Sequence, residues 1–176
     1  MSAPAHAVLS SPLGPLRVEA DGGGSLTGLW FAPGAEPGGD VEPFAFLRSQ
    51  LDRWFAGEIT SFEVPVAPRG TPWQQAVWSA LRAIPYGETI TYTELAARAG
   101  RPGAARAAGA ANGRNPISIL VPCHRVVGTS GALTGYAGGV AAKAWLLGHE
   151  RAVRSRGPSP GSTPRRTTAR HALPAA

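Results

Sequence analysis

The first third of the chain alternates short apolar stretches with turn signals. Within residues 6–31, Pro and Gly interrupt apolar runs too short for helices, at Ser11-Pro12-Leu13-Gly14-Pro15 and at Asp21-Gly22-Gly23-Gly24. Such punctuation predicts short strands joined by tight turns. Residues 33–40 predict a loop. In residues 43–56, Phe44, Leu47, Leu51, Trp54 and Phe55 fall on one helical face, and Gly57 supplies the stop. Phe62, Val64 and Val66 alternate as in a half-buried strand. Residues 67–70 predict a linker. Residues 1–68 therefore predict an α+β N-terminal domain, a small antiparallel sheet with one helix, with no evident chemistry of its own.

The pattern changes at Thr71. Thr71 and Gln74 form a capping box around Pro72, which suits the first helical position. Trp73, Ala76, Val77, Ala80, Leu81 and Ile84 then follow the helical period until Pro85-Tyr86-Gly87 ends it. Thr91 and Glu94 form a second capping box, opening a short helix that stops at Gly100. Pro102 opens a third helix over residues 103–112. Two short helices joined by a Gly-containing turn predict a helix-turn-helix. The third helix carries one long side chain, Arg106, among Ala and Gly. So smooth a surface either packs closely against a neighbouring helix or lets backbone approach DNA with one arginine projecting. Asn112-Gly113 and Asn115-Pro116 are turn signals. Residues 117–121 predict a buried strand, residues 135–139 a glycine-rich loop and residues 143–150 a last short helix. Residues 69–150 thus predict a mainly helical C-terminal domain. From Arg151 the chain is rich in Pro, Ser, Thr and Arg, and residues 151–176 predict a disordered basic tail.

The chain has 176 residues, 43% of them hydrophobic, room for one ordinary domain or two small ones. Its formal charge of +6 is unevenly spread: −5 over residues 1–68, +5 over residues 69–150 and +6 over residues 151–176. A basic second half suits a polyanionic partner, although arginines on solvated faces account for it equally well. One cysteine cannot form an intramolecular disulfide, which points to a reducing compartment. The N-terminus lacks the basic region and long apolar run of a secretory signal. No apolar stretch approaches the roughly 18 residues of a membrane span. A cytoplasmic protein without membrane contact is expected. The four His and the single Cys show no metal-ligand spacing, and neither metal nor cofactor is expected.

The cysteine lies in Val121-Pro122-Cys123-His124-Arg125-Val126. A free thiol, with a pKa of about 8.5, is mostly protonated at neutral pH and attacks as the thiolate. A neighbouring imidazole can act as base, and a neighbouring guanidinium favours the anion. A lone cysteine is also an ordinary small core residue. Adjacent side chains on a strand point to opposite faces, so Cys123 and His124 cooperate only if the chain turns here or a water links them. Pro122 fixes its own φ and biases Val121 to extended backbone, which fits a strand ending in a turn at the cysteine.

Taken together, these motifs resemble the methylated-DNA–protein-cysteine methyltransferases (O6-alkylguanine-DNA alkyltransferases). The resemblance rests on Ile84-Pro85-Tyr86-Gly87-Glu88-Thr89, Ala105-Arg106-Ala107-Ala108-Gly109-Ala110-Ala111-Asn112, Asn115-Pro116, Pro122-Cys123-His124-Arg125-Val126 and Leu133-Thr134-Gly135-Tyr136-Ala137-Gly138-Gly139. It runs from about Thr71 to Glu150 and leaves the tail outside. The resemblance implies direct-reversal repair in which Cys123 takes an alkyl group from guanine O6, less readily from thymine O4, once per protein. It implies that His124 is the base, acting through a water, that Glu150 orients it, and that Asn115 braces the turn at the cysteine. Tyr92 matches the tyrosine that crowds the target phosphate and protonates the leaving guanine. Arg106 matches the finger that fills the gap left by the flipped base. The DNA surface would include Arg101, Ala105, Gly109 and Thr129, and the base pocket Tyr136, Val126 and Ala137. The implied partner is double-stranded DNA, held in the minor groove by a monomer. Trp73, where the family often has Phe, and Ala108, where it often has Val, are departures that bear on substrate size.

Three further readings compete. A non-catalytic alkyltransferase-like DNA binder that only flags lesions would lack the acceptor cysteine, and Cys123 is present. A thiol hydrolase also pairs a cysteine with a histidine, but needs no DNA surface. A major-groove transcription factor needs more base-reading side chains than this recognition helix offers.

Overall fold

The computed structural model describes residues 4–157. Four strands, β1 (Ala5–Leu9), β2 (Leu16–Ala20), β3 (Leu26–Phe31) and β4 (Gly38–Gly39), form an antiparallel sheet in the order β3-β2-β1-β4. The predicted turns join the first three strands. Ser11 Oγ donates to Gly14 O, and Asp21 Oδ1 accepts from the amides of Gly23 and Ser25. Two glycines of the expected loop extend the sheet as β4, a pairing too short to leave a period in the sequence. Helix α1 (Ala45–Phe55) follows a single 3-10 turn and buries Leu47, Leu51 and Trp54. Gly57 ends it at a φ of 75°, where a Cβ would also meet Val153.

The outer edge of β3 is covered by irregular chain from two distant places. Leu26 pairs with the 65–67 segment, its amide donating to Pro65 O and its carbonyl accepting from Ala67 N. Leu29 pairs with the 116–118 segment, donating to Pro116 O and accepting from Ser118 N. The alternating run 62–66 is therefore not a strand. It makes one isolated bridge, Leu26 to Val66, while Phe62 turns inward to stack on Trp54. Trp54 also meets the Tyr86 and His149 rings, which joins α1 to the second half of the chain. The buried apolar cluster runs without a break from Leu16, Val18 and Leu29 to Val77, Leu81, Leu95 and Leu146.

The second half holds α2 (Pro72–Arg82), β5 (Ile90–Thr91), α3 (Tyr92–Arg98), α4 (Ala105–Gly113), β6 (Val126–Val127) and α5 (Gly139–Arg156). Both predicted capping boxes are present, Thr71 with Gln74 and Thr91 with Glu94. Helices α3 and α4 form the helix-turn-helix. α4 lies against α2 so closely that two indoles donate to its carbonyls, Trp73 Nε1 to Ala107 O and Trp78 Nε1 to Ala111 O. Small residues permit that approach, and Ala108 and Ala111 are its buried contacts. Arg106, Ala107 and Ala110 face outward. β5 and β6 pair in parallel, Ile90 with Val126, an element with no sequence signal at two residues each.

Two other segments also differ from expectation. Residues 117–121 form a turn, not a strand, because Asn115 satisfies backbone groups that a sheet ladder would otherwise take (below). α5 is twice as long as residues 143–150 suggested, and its last turns are residues 151–156. The basic tail therefore cannot begin at Arg151; residues 158–176 lie outside the described residues. Arg154 caps the junction by donating to Gly87 O and Glu88. We expect a chain ended after Glu150 to melt at lower temperature than one ended after Gly157, because it loses these contacts and Val153. Equal melting temperatures would show that the final turns add nothing. No helix among the described residues is long and apolar enough to cross a membrane.

Candidate active site

The cysteine sits at the start of a 3-10 turn, Cys123–Arg125, immediately before β6. That turn resolves the adjacency problem: Cys123 and His124 leave a tight bend, not opposite faces of a strand. Both are buried, His124 completely. The preceding segment is strained. Ile119 has a φ of 70°, a left-handed value that a β-branched residue adopts at a cost of about 1–3 kcal/mol. Asn115 holds it there. Its Nδ2 donates to Val121 O at 2.8 Å and Ile117 O at 3.3 Å, and its Oδ1 accepts from Ile117 N at 3.0 Å. The same Nδ2 lies 3.1 Å from Cys123 Sγ, so two amide hydrogens serve three acceptors and one of them is the sulfur. Asn112, at the end of α4, reaches Cys123 O at 3.5 Å.

On the far side of His124 stands Glu150, from α5. His124 Nε2 and Glu150 Oε1 are 2.8 Å apart. A carboxylate partner makes Nε2 the protonated nitrogen and leaves Nδ1 as an acceptor. Nδ1 is buried and has no hydrogen-bond partner among the described residues. Arg125 clamps the same carboxylate, Nε to Oε2 at 2.9 Å and Nη2 to Oε1 at 2.9 Å, while its Nη1 donates to Ile84 O. Gly87 N also donates to Glu150 Oε2, at 2.9 Å. The Ile84-Pro85-Tyr86-Gly87 run is thus part of the site, because its backbone serves Arg125 and Glu150.

The electrostatics follow from this geometry. Burial pushes the Glu150 carboxyl up, but the hydrogen bonds from His124 and Arg125 outweigh it and hold the pKa at about 2. Burial pushes the His124 imidazole below its ordinary value despite Glu150, so the ring rests neutral. Burial raises the Cys123 thiol, opposed by the Asn115 hydrogen bond and the charge of Lys143. The expectation that Arg125 favours the thiolate directly is corrected here, since that guanidinium is spent on Glu150, 25 residues away in the chain.

The remaining expected residues divide. Tyr92 opens α3, half-buried, with its ring against Gly109 and its hydroxyl accepting from Thr134 Oγ1 at 3.3 Å. Tyr136 is edge-on to His124, with centroids 6.4 Å apart, and its hydroxyl is buried without a partner among the described residues. Phe31 of β3, which no sequence signal marked, packs edge-on against Tyr136, and a Cβ on Gly138 would strike its ring. Ala137 is exposed on the same loop. Val126 is wholly buried three residues after Cys123 and pairs with Ile90. Arg101, Arg106 and Thr129 are exposed, and Ala105 and Gly109 half-exposed. Arg101 lies over the Trp73 ring at 4.9 Å. Lys143 is buried on α5, and no motif in the sequence marks it.

A family model described as 6-O-methylguanine DNA methyltransferase, DNA binding domain, matches residues 72–152. A methylated-DNA–protein-cysteine methyltransferase of Methanosarcina acetivorans is 49% identical over 149 residues, which cover 81% of this chain and 95% of that one. The chain belongs to the methylated-DNA–protein-cysteine methyltransferase family. The crystal structure of the Mycobacterium tuberculosis O6-methylguanine methyltransferase is similar at a TM-score of 0.77 and 44% identity, over 90% of this chain and 96% of that one. A structure of Mycobacterium tuberculosis OGT in complex with DNA matches at a TM-score of 0.75 and 48% identity, over 83% of this chain and 92% of that one. The family performs direct-reversal DNA repair, and the small sheet with a helical second half is its fold.

Proposed function

We propose that Cys123 is the alkyl acceptor, served by His124 as base, with Glu150, Asn115 and Arg125 as positioning residues. The observation that carries this reading is a single tight turn that holds the Cys123 sulfur on the Asn115 amide and, at the next residue, the His124 ring on Glu150, with Asn112 of α4 reaching Cys123 O. The neutral His124 takes the thiol proton through a water at Nδ1, and Glu150 stabilises the imidazolium that results. The thiolate attacks the alkyl carbon; the new S–C bond forms as the C–O6 bond breaks. The electron pair stays on the guanine, which takes up a proton, and in this reading the Tyr92 hydroxyl supplies it. A thioether is not hydrolysed by water, so each chain acts once.

Guanine O6 lies inside the stack, so a protein sulfur reaches it only in an extruded base, at a cost of a few kcal/mol. Arg106 stands alone on the outward face of α4, ready to occupy the vacated place. The helix enters the minor groove, where its small residues let backbone come close, and Arg101, Thr129 and the Ala105–Gly109 face contact the strands. The base rests against Tyr136, Phe31 and Ala137. A cytoplasmic monomer is sufficient for all of this. Intact mass after mixing with an O6-methylguanine duplex tests the reading. A gain of one CH2 on Cys123, and no more on longer incubation, is expected; turnover of ester or amide substrates without such a gain would favour a thiol hydrolase.

A separate expectation concerns Arg106. Arg106→Ala slows repair of the methylated duplex by at least about tenfold, a few kcal/mol of extrusion being left uncompensated, and barely changes reaction with free O6-benzylguanine. Equal losses on both substrates would assign Arg106 to the fold.

A further inference from the structure

β3 touches the site twice. At Leu29 its backbone pairs with the chain that leads into the acceptor turn, donating to Pro116 O at 2.8 Å and accepting from Ser118 N at 2.8 Å. Two residues on, and so on the same face of the strand, Phe31 packs edge-on against Tyr136, with centroids 5.7 Å apart. Trp30, between them, turns to the other face and covers Gly28. Tyr136 in turn stands edge-on to His124 at 6.4 Å. The strand is a rigid base for both contacts, since Leu29 and Phe31 are also paired with Val18 and Leu16 of β2. The loop has no such frame of its own. None of residues 131–136 is in a helix or strand. Lys143 Nζ on Thr134 O and Thr134 Oγ1 on the Tyr92 hydroxyl hold the loop at Thr134; Phe31 holds it at Tyr136 and Gly138.

Gly138 shows how closely the loop is drawn onto the ring. Its φ of −84° is open to any residue, so the backbone does not require glycine there. The ring does: a Cβ would lie 2.6 Å from Phe31 Cδ2 and 2.8 Å from Cγ. Cγ is the root of the ring, so the clash is relieved only by a new rotamer at Phe31 or by the loop moving off the strand.

We propose that Phe31 is a positioning residue for the reaction: from β3 it sets how far the Tyr136 wall stands from the acceptor turn, and so the size of the group that reaches Cys123. The proposal rests on the acceptor role given to Cys123. It gives the N-terminal sheet, which carries no reacting group, a part in selecting the substrate. Both sides of the gap are referred to one strand: Leu29 fixes the turn, and Phe31 fixes the wall. Truncating the ring leaves the Leu29 hydrogen bonds in place, and with them Asn115, Cys123 and His124, and frees the wall alone.

Two reagents that alkylate Cys123 without DNA measure the gap on the full chain: iodoacetamide and the bulkier N-benzyl iodoacetamide. In both the thiolate displaces iodide, the S–C bond forming as the C–I bond breaks. In Phe31→Ala the benzyl reagent should gain on iodoacetamide by about threefold or more, with the iodoacetamide rate itself nearly unchanged. Single-turnover transfer from a methylated duplex should slow by about tenfold or more at saturating DNA, because the flipped base is held less closely. Gly138→Ala keeps the test open if Phe31→Ala fails to fold. By pushing the loop off the strand it should favour the benzyl reagent in the same way. Where both variants fold, their losses of transfer should not multiply, so that the double variant is no slower than the slower single one. An unchanged reagent ratio, a fall in both reagent rates together, or losses that multiply would overturn the proposal and leave Phe31 a packing residue. A shifted ratio with no alkyl transfer from DNA by the parent protein would instead reject the repair reading while keeping the Phe31–Tyr136 wall.

Discussion

Replacing Cys123 by Ala abolishes alkyl transfer and leaves affinity for duplex DNA within about twofold of the parent protein. The sulfur is the only atom in the site that can form the S–C bond, so no residual rate is expected. The DNA surface is elsewhere: phosphate and groove contacts set affinity, and the residues assigned to them lie on α4, in the turn before it and in the loop after β6. Cys123 is almost wholly buried behind α4, held by Asn115 and Asn112. Substitution by Ala removes one sulfur and leaves the neighbouring backbone bonds in place. Single-turnover transfer assays and binding curves at fixed salt, on the same preparation, make the test. Transfer above background in Cys123→Ala would reject the acceptor assignment. A collapse of DNA affinity would mean that the thiol supports the recognition helix as well as the chemistry.

Much of this architecture is legible in the sequence, for local reasons. Thr71-x-x-Gln74 and Thr91-x-x-Glu94 mark helix starts because the side chains that satisfy the first amides lie within four residues of one another. The turn at Asp21 is legible for the same reason. What escapes is set by distant partners. Residues 117–121 have a strand's composition, but Asn115 takes Ile117 N, Ile117 O and Val121 O, Val121 N turns back to Ile117 O, and Ile119 is left-handed. Residues 151–156 have a tail's composition, but Val153 and Arg154 dock on Gly57 and Gly87 and continue the helix. Arg125 is adjacent to the cysteine in sequence and serves a carboxylate 25 residues away. Phe31 reaches the site from the other half of the chain, through contacts that no periodicity records. The adjacency of Cys123 and His124 was legible as a requirement for a turn; the 3-10 turn is how the fold meets it.

Glu150→Ala should be the most damaging substitution in the site, in stability as well as in rate. The carboxylate accepts from His124, from Arg125 through Nε and Nη2, and from Gly87 N. Its loss strands a buried guanidinium, and breaking a buried pair from one side costs about 3–5 kcal/mol. It also frees the imidazole to rotate and removes the charge that stabilises the imidazolium, so transfer should slow by roughly 100- to 10,000-fold, the range for a lost acid–base function. The pH dependence separates these effects from simple packing loss. Because the folded carboxyl titrates at about 2 and the ordinary value is 4.5, Glu150 adds stability that is fully present above 4.5 and lost as pH falls from there toward 2. His124 acts in the same direction at higher pH, since the folded protein holds the ring's pKa below the ordinary 6.5 and the unfolded chain takes the proton first. Denaturant midpoints of the parent protein should therefore fall as pH drops below 6.5 and fall again below 4.5. Glu150→Gln, which keeps the shape and removes the titration, should lose the second decline while remaining folded at pH 7. If Glu150→Ala unfolds within about 1 kcal/mol of the parent, Arg125 has found another partner and the cluster is weaker than its geometry implies.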